Sequence, residues 1–144
     1  MIDVDKINYH SAYPIDKIVQ EGTVTITNSG ATDPNYQRAL IVTETTPNTY
    51  GKKVFVRAVW SIDGANYNSL SSHVIYTFTI TLPGPITATL SGLKAAVSVG
   101  VSDSLIYFRT GNGYHGDVTD DGGTITYTPT PLTFIIKYAL FEVE

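Results

Sequence analysis

Residues 54–62 read VFVRAVWSI, and residues 73–82 read HVIYTFTITL. In the first run Val54, Val56, Ala58, Trp60 and Ile62 share one face. In the second, Val74, Tyr76, Phe78, Ile80 and Leu82 do so, and the other face carries His73, Thr77, Thr79 and Thr81 around a single Ile75. Successive strand residues alternate between two faces, so this period of two marks strands with one buried side. Between the runs, Asp63-Gly64 turns the chain. Residues 63–72 gather Gly, Ser and Asn around Tyr67 and Leu70, which predicts an exposed loop rather than a tight hairpin.

The same alternation recurs on both sides. Thr23-Val24-Thr25-Ile26-Thr27 reads as a strand, and residues 40–45 as a shorter one. Glu21-Gly22 reads as a turn, so residues 1–22 are expected to form a partly extended N-terminal arm, with a short strand near residues 16–20. Tyr13-Pro14 favours an extended or turn conformation there. Residues 28–35, NSGATDPN, carry loop signals throughout. Downstream, Pro83 and Pro85 end the second run, because proline cannot sit in a central ladder. Residues 86–90 alternate again until Ser91-Gly92 breaks them. Residues 93–97 hold at most one helical turn. Ala95, Val97, Val99 and Val101 share a side, and residues 105–110 return after Ser102-Asp103-Ser104 as the second arm of a hairpin. Residues 111–123 read as a long loop and residues 124–128 as a strand. The last run, residues 132–143, is apolar on both faces, with Phe134, Ile136, Tyr138 and Leu140 opposing Ile135, Ala139 and Phe141. That pattern belongs to a strand central in its sheet or in a subunit interface. Seven to nine short strands punctuated by turns predict an all-β chain with one antiparallel β-sandwich over residues 23–144; a small β-barrel is the alternative.

Composition agrees. The 144 residues fit one domain able to bury a core, and 42% hydrophobic with 15% charged residues is not the composition of a disordered tail. Ten Tyr, five Phe and a single Trp, with abundant Thr and Val, suit a pleated surface. The net charge of −4 and the lack of any Lys/Arg run argue against a nucleic-acid surface. No apolar stretch approaches the ~20 residues of a membrane helix, so membrane insertion is not expected. The absence of Cys excludes a disulfide scaffold and a thiol nucleophile. Met1-Ile2-Asp3-Val4-Asp5-Lys6 has no basic region before an apolar core, so no signal peptide is expected, and the chain is read as made in the cytoplasm, either to stay there or to leave by lysis or within an assembly.

Residues 111–123, GNGYHGDVTDDGG, are the most distinctive local sequence. Read as a binding loop, they offer Tyr114 as an aromatic platform for a sugar ring and His115 and Asp117 for its hydroxyls. Tyr67 and Asn66 of the 63–72 loop are the second group of candidate ligand-binding residues. Asp117, Asp120 and Asp121 are candidates for Ca2+, which takes six to eight oxygens, although their spacing matches no EF-hand or nonapeptide loop. Polar Gly/Asp loops are turns first and sites second, so the same residues also read as a surface turn. Trp60 lies on the apolar side of its run and reads as core rather than as a surface contact. His10, His73 and His115 show no metal-ligand spacing, and no HExxH, GxSxG, P-loop or dinucleotide pattern occurs. No catalytic residue and no organic cofactor are expected, and the chain reads as a non-enzyme. A small sandwich leaves strand edges that must be covered. Homo-oligomerisation would cover them.

Three stretches together carry a resemblance: residues 54–64 (VFVRAVWSIDG), 104–110 (SLIYFRT) and 134–141 (FIIKYALF). The set resembles β-sandwich modules of phage tail fibres and related virion appendages, and more loosely H-type lectin-like sandwiches, over residues 40–144. The resemblance implies a jelly-roll or H-type-lectin-like sandwich at the virion surface, a homotrimer that contacts other virion proteins and a host-surface glycan or protein. The ligand pattern of the lectin family does not map onto this chain, and no binding residue is carried over from it. Two further readings stay open: a purely structural tail, decoration or fibre-stacking subunit with no ligand, and a carbohydrate-binding module.

Overall fold

The structure, a computed structural model, describes residues 16–31, 39–81, 87–121 and 124–143. Among them ten strands and no helix occur: β1 (Asp16–Asn28), β2 (Leu40–Pro47), β3 (Phe55–Ser61), β4 (Asn68–Ser69), β5 (His73–Thr81), β6 (Thr87–Val101), β7 (Leu105–Asn112), β8 (Gly116–Asp121), β9 (Thr124–Pro129) and β10 (Leu132–Val143). One sheet, A, has the order β1-β10-β3-β4. The other, B, has the order β2-β7-β6-β5, and β8-β9 form a separate ribbon. Every ladder is antiparallel. The two four-stranded sheets pack face to face, so the chain is an antiparallel β-sandwich and not a closed barrel.

The doubly apolar strand β10 is central in sheet A, hydrogen-bonded to β1 and to β3. Its inner face buries Phe134, Ile136, Tyr138 and Leu140 beside Ile26 of β1 and Trp60 of β3. Sheet B meets them with Ala95 and Val97 of β6 and Ile106 and Phe108 of β7. Phe108 tilts onto Tyr138 at 5.3 Å between ring centroids, which ties the two sheets. Trp60 is fully buried, as its strand face predicts, and lies 5.9 Å from Phe134.

Buried amides close the two ends of the sandwich. At one end Asn28 Nδ2 donates to Leu40 O (2.8 Å) and to Thr110 O (3.2 Å), while its Oδ1 accepts from Gly30 N (2.9 Å). Gly30 has φ 89°, a left-handed conformation that a side chain would strain. Asn112 Nδ2 donates to Asn28 O at 3.0 Å, which links sheet B back to sheet A. At the other end Asn48 Nδ2 donates to Lys52 O and Ser102 O, both at 2.7 Å. Gln20 of β1 holds the same turn through Pro47 O and Thr49 N.

Four local expectations are corrected. Glu21-Gly22 is not a turn: β1 runs unbroken through it, so residues 16–22 belong to the sandwich and not to an arm. The reason lies across the ladder. Gly22 pairs with Tyr138, and a Cβ there would stand 2.9 Å from the Tyr138 hydroxyl, so this glycine serves close approach within a strand. Ser91-Gly92 likewise does not break β6, because both pair with β5; nor do residues 93–97 form a helical turn. Lys94 instead forms a β-bulge, skipped between the pairs Val74–Ala95 and Ile75–Leu93. Its side chain is buried, and desolvation pushes its ammonium pKa down. Finally, residues 111–123 are not one long loop. β7 continues through Gly111 and Asn112, which pair with β2, and β8 pairs with β9 from Gly116 to Asp121. The expected arm over residues 1–15 and the proline stop at residues 83 and 85 lie outside the described residues.

Candidate functional site

The outer face of sheet A follows from its register. Three rows cross β1, β10 and β3 in turn: Ile18–Phe141–Phe55, Glu21–Ala139–Arg57 and Thr23–Lys137–Val59. Ala139 is small, so the middle of the face dips. Glu21, Arg57, Val59, Lys137, Ala139, Leu70 and Ser71 line a shallow concavity of about 740 Å³ there. β4 is only two residues long and pairs with Val59 and Trp60 alone, which leaves the edge of β3 from Phe55 to Ala58 open beside it.

Two cations stand in this concavity, each set against a ring. Arg57 lies 5.0 Å from the Phe141 centroid, and Lys137 Nζ lies 4.3 Å from the Tyr67 centroid. Flat contacts of this kind hold a long flexible side chain in place and keep its charge at the surface. Phe55, 66% exposed, extends the apolar strip at one end.

Residues 62–72 build the opposite wall. Ser61 is buried, and Gly64 takes φ 77°, the turn conformation its sequence suggests. Asp63 caps the turn: its carboxylate accepts from the Asn66 and Ala65 amides (2.8 Å each), from Asn66 Nδ2 (2.7 Å) and from Ser61 Oγ (2.8 Å). These bonds, the Asn66 amide foremost, hold its pKa well below the usual carboxylate range. A depressed folded-state pKa makes the contribution complete above the ordinary value of 3.8 and lost progressively as pH falls below it. Asp63→Ala is therefore expected to lower the Tm at pH 7, with a gap from the native chain that narrows in melts below pH 3.8.

The expected ligand residues separate. Tyr67 joins the groove through Lys137, and Asn66 is exposed but tied into the Asp63 turn. Tyr114 is only 1% exposed, so it is a packed side chain and not a surface platform. His115 is half-buried, and its carbonyl accepts from Thr130 N. Asp117, Asp120 and Asp121 are positions of β8 paired with Thr128, Ile125 and Thr124; their side chains lie outside the description. Among the described residues no three His, Asp or Glu groups come together in a way that could hold a metal ion. Arg57, Lys137 and Ala139 were not singled out as site residues. Their signal was present: Arg57 and Lys137 are each the single cation in an otherwise apolar run, residues 54–62 and 134–141.

A smaller concavity of about 300 Å³ lies on the outer face of sheet B, among Thr43, Ser98, Val99, Gly100, Tyr107 and Arg109. Tyr107 pairs with Gly100 there, and Arg109 pairs with Thr43 and Ser98.

Compared with protein-family models, curated proteins and solved structures, the chain gives no significant match to any of them.

Proposed function

We propose that this chain is a non-enzymatic adhesion or receptor-binding module of a phage tail fibre or similar virion appendage, and that it contacts a host-surface glycan or protein through the outer face of sheet A. The observation that carries the binding reading is the concavity over Ala139, where two ring-backed cations and an apolar floor face outward together. Surface recognition sites combine a largely apolar surface with a few placed polar groups. What supports the virion reading is the resemblance of residues 54–64, 104–110 and 134–141 to such modules. The proposed assembly is a homotrimer at the virion surface, docked on other virion proteins.

A second reading is a structural virion subunit with no ligand. It is favoured by Phe55, by Ile75 (60% exposed) and by Ile41 (57% exposed), apolar residues on the outer faces of both sheets that neighbouring subunits would cover. Light scattering together with a glycan array separates the two. A trimer that binds at least one glycan, with binding lost in Ala139→Met, is the expected result. A trimer that binds nothing favours the structural subunit, and a monomer that binds nothing overturns both.

A further inference from the structure

We propose that residues 2–5, Ile2-Asp3-Val4-Asp5, add to sheet A as an extended strand along the open edge of β3, antiparallel to it and within the same chain. The inference is independent of the ligand proposed for the Ala139 face.

The edge shows what it lacks. Among the described residues, β3 has a ladder partner on that side only at Val59 and Trp60, where β4 pairs. The inward positions of β3 record the difference. Trp60, beside β4, is fully buried, while Val56 and Ala58, apolar and on the same face, are only half-buried. Leu70, also half-buried, packs against the same core. A row of backbone donors and acceptors next to uncovered apolar side chains is a template for one more strand.

Sequence and register select the occupant. Residues 2–5 alternate apolar and acidic. Paired residues in an antiparallel ladder share a face. A strand that sets Val4 against Val56 therefore sets Ile2 against Ala58, with both apolar side chains turned inward and Ile2 toward Leu70. The same register puts Asp3 opposite Arg57 and Asp5 opposite Phe55 on the outer face. Arg57 keeps its contact with the Phe141 ring there, and a guanidinium carries several N–H donors, so a carboxylate joins it beside that contact. A slip of two residues would instead turn Lys6 inward against Val56, which burial of the ammonium disfavours.

The connection allows this placement. β1 and β3 both run antiparallel to β10, and the row Ile18–Phe141–Phe55 sets their starts at one end of the sheet. A segment antiparallel to β3 leaves the edge at that same end, past Phe55. Residues 6–15 must then cross three strand spacings to reach Asp16, about 15 Å, and a chain of that length extends up to about 33 Å. The edge of β1 is a poorer site. Gln20 and Asn28 tie β1 to Pro47 O and Leu40 O of sheet B on that flank, and Glu21 would repel Asp3 and Asp5.

Hydrogen exchange of the isotope-labelled full chain, read by NMR at each amide, is the test. Alternate amides of residues 2–5 are expected to exchange at least about tenfold more slowly than an unstructured chain. Val4→Pro should remove that protection and also the protection of those amides of residues 55–58 that point away from β10. The amides of β10 should keep theirs, which shows that the sandwich itself stays folded. The chain has no Cys, so an engineered pair reports the register cleanly. Val4→Cys with Val56→Cys should form a disulfide within one chain, in preference to Val4→Cys with Thr25→Cys on β1. Unprotected amides at residues 2–5, protection that survives Val4→Pro, or protection centred on residues 7–10 would overturn the inference. So would a disulfide of the first pair found only between chains, which assigns the edge to a neighbouring copy.

Discussion

Trp60→Ala is expected to destabilise the fold by about 3–5 kcal/mol, the range for deleting a large buried aromatic. The indole is fully buried, stands 5.9 Å from Phe134, and sits where β3 faces sheet B. Its Nε1 also donates to Ser69 O at 3.0 Å, a side-chain bond added to the backbone ladder between β3 and β4. Truncation thus opens a cavity and loosens the 62–72 segment at once. Trp60→Phe should cost less, because most of the ring volume remains and Ser69 O keeps a bond from Ser72 N. Urea unfolding followed by circular dichroism measures both variants. The native chain offers an independent probe, since its indole emission comes from a single Trp and should shift to the red as the core opens. A loss below about 1 kcal/mol for the alanine variant would contradict the packing described.

The second large effect is expected at Asn28. Asn28→Ala removes the partner of Leu40 O, Thr110 O and Gly30 N in one step, at a site with no solvent access. Each buried polar group left unpaired costs about 1–3 kcal/mol, so a loss of roughly 3 kcal/mol is expected overall, even with some relaxation. Asn28→Asp is the sharper test. It keeps the acceptor for Gly30 N but turns the donor that faces Leu40 O and Thr110 O into a second oxygen. Burial and two carbonyls would raise the folded-state carboxyl pKa. A raised carboxyl pKa means stability is lost as pH climbs through and above the unfolded value of about 3.9. Asn28→Asp should therefore melt closer to the native chain at pH 3 than at pH 7. Asn112 bonds to the same backbone, so Asn28 and Asn112 variants should combine non-additively.

The sandwich was legible wherever neighbours along the chain share one environment. Alternation through residues 54–62 placed Trp60 inside, and the doubly apolar run of residues 132–143 marked β10 as central. Legibility ended where the deciding partner is distant in sequence. Glu21-Gly22 has the local chemistry of a turn, yet it is the Tyr138 ring across the ladder that requires Gly22 to be small. Glycines and aspartates concealed β8, because only its partner β9 gives those residues a ladder. The site shows the same limit. Tyr114 stands in a polar, glycine-rich stretch and still packs inside. Arg57 and Lys137 appear on one surface only when the β3–β10 register is known. Tyr67 emerged as a candidate from loop composition, and Lys137 is what joins it to the groove.

The pairing of Asp16 with Val143 has a mechanical consequence. Antiparallel bonds lie perpendicular to their strands. A pull that separates residue 16 from residue 143 therefore runs along those bonds and strains them one after another from that end, so β1 peels away under low tension. A load that runs lengthwise along β1, between residue 16 and the body of sheet A, acts differently. It then spreads over the β1–β10 bonds collectively, from Lys17 to Asn28, and meets far greater resistance. The same two strands are a zipper under one anchorage and a brace under the other.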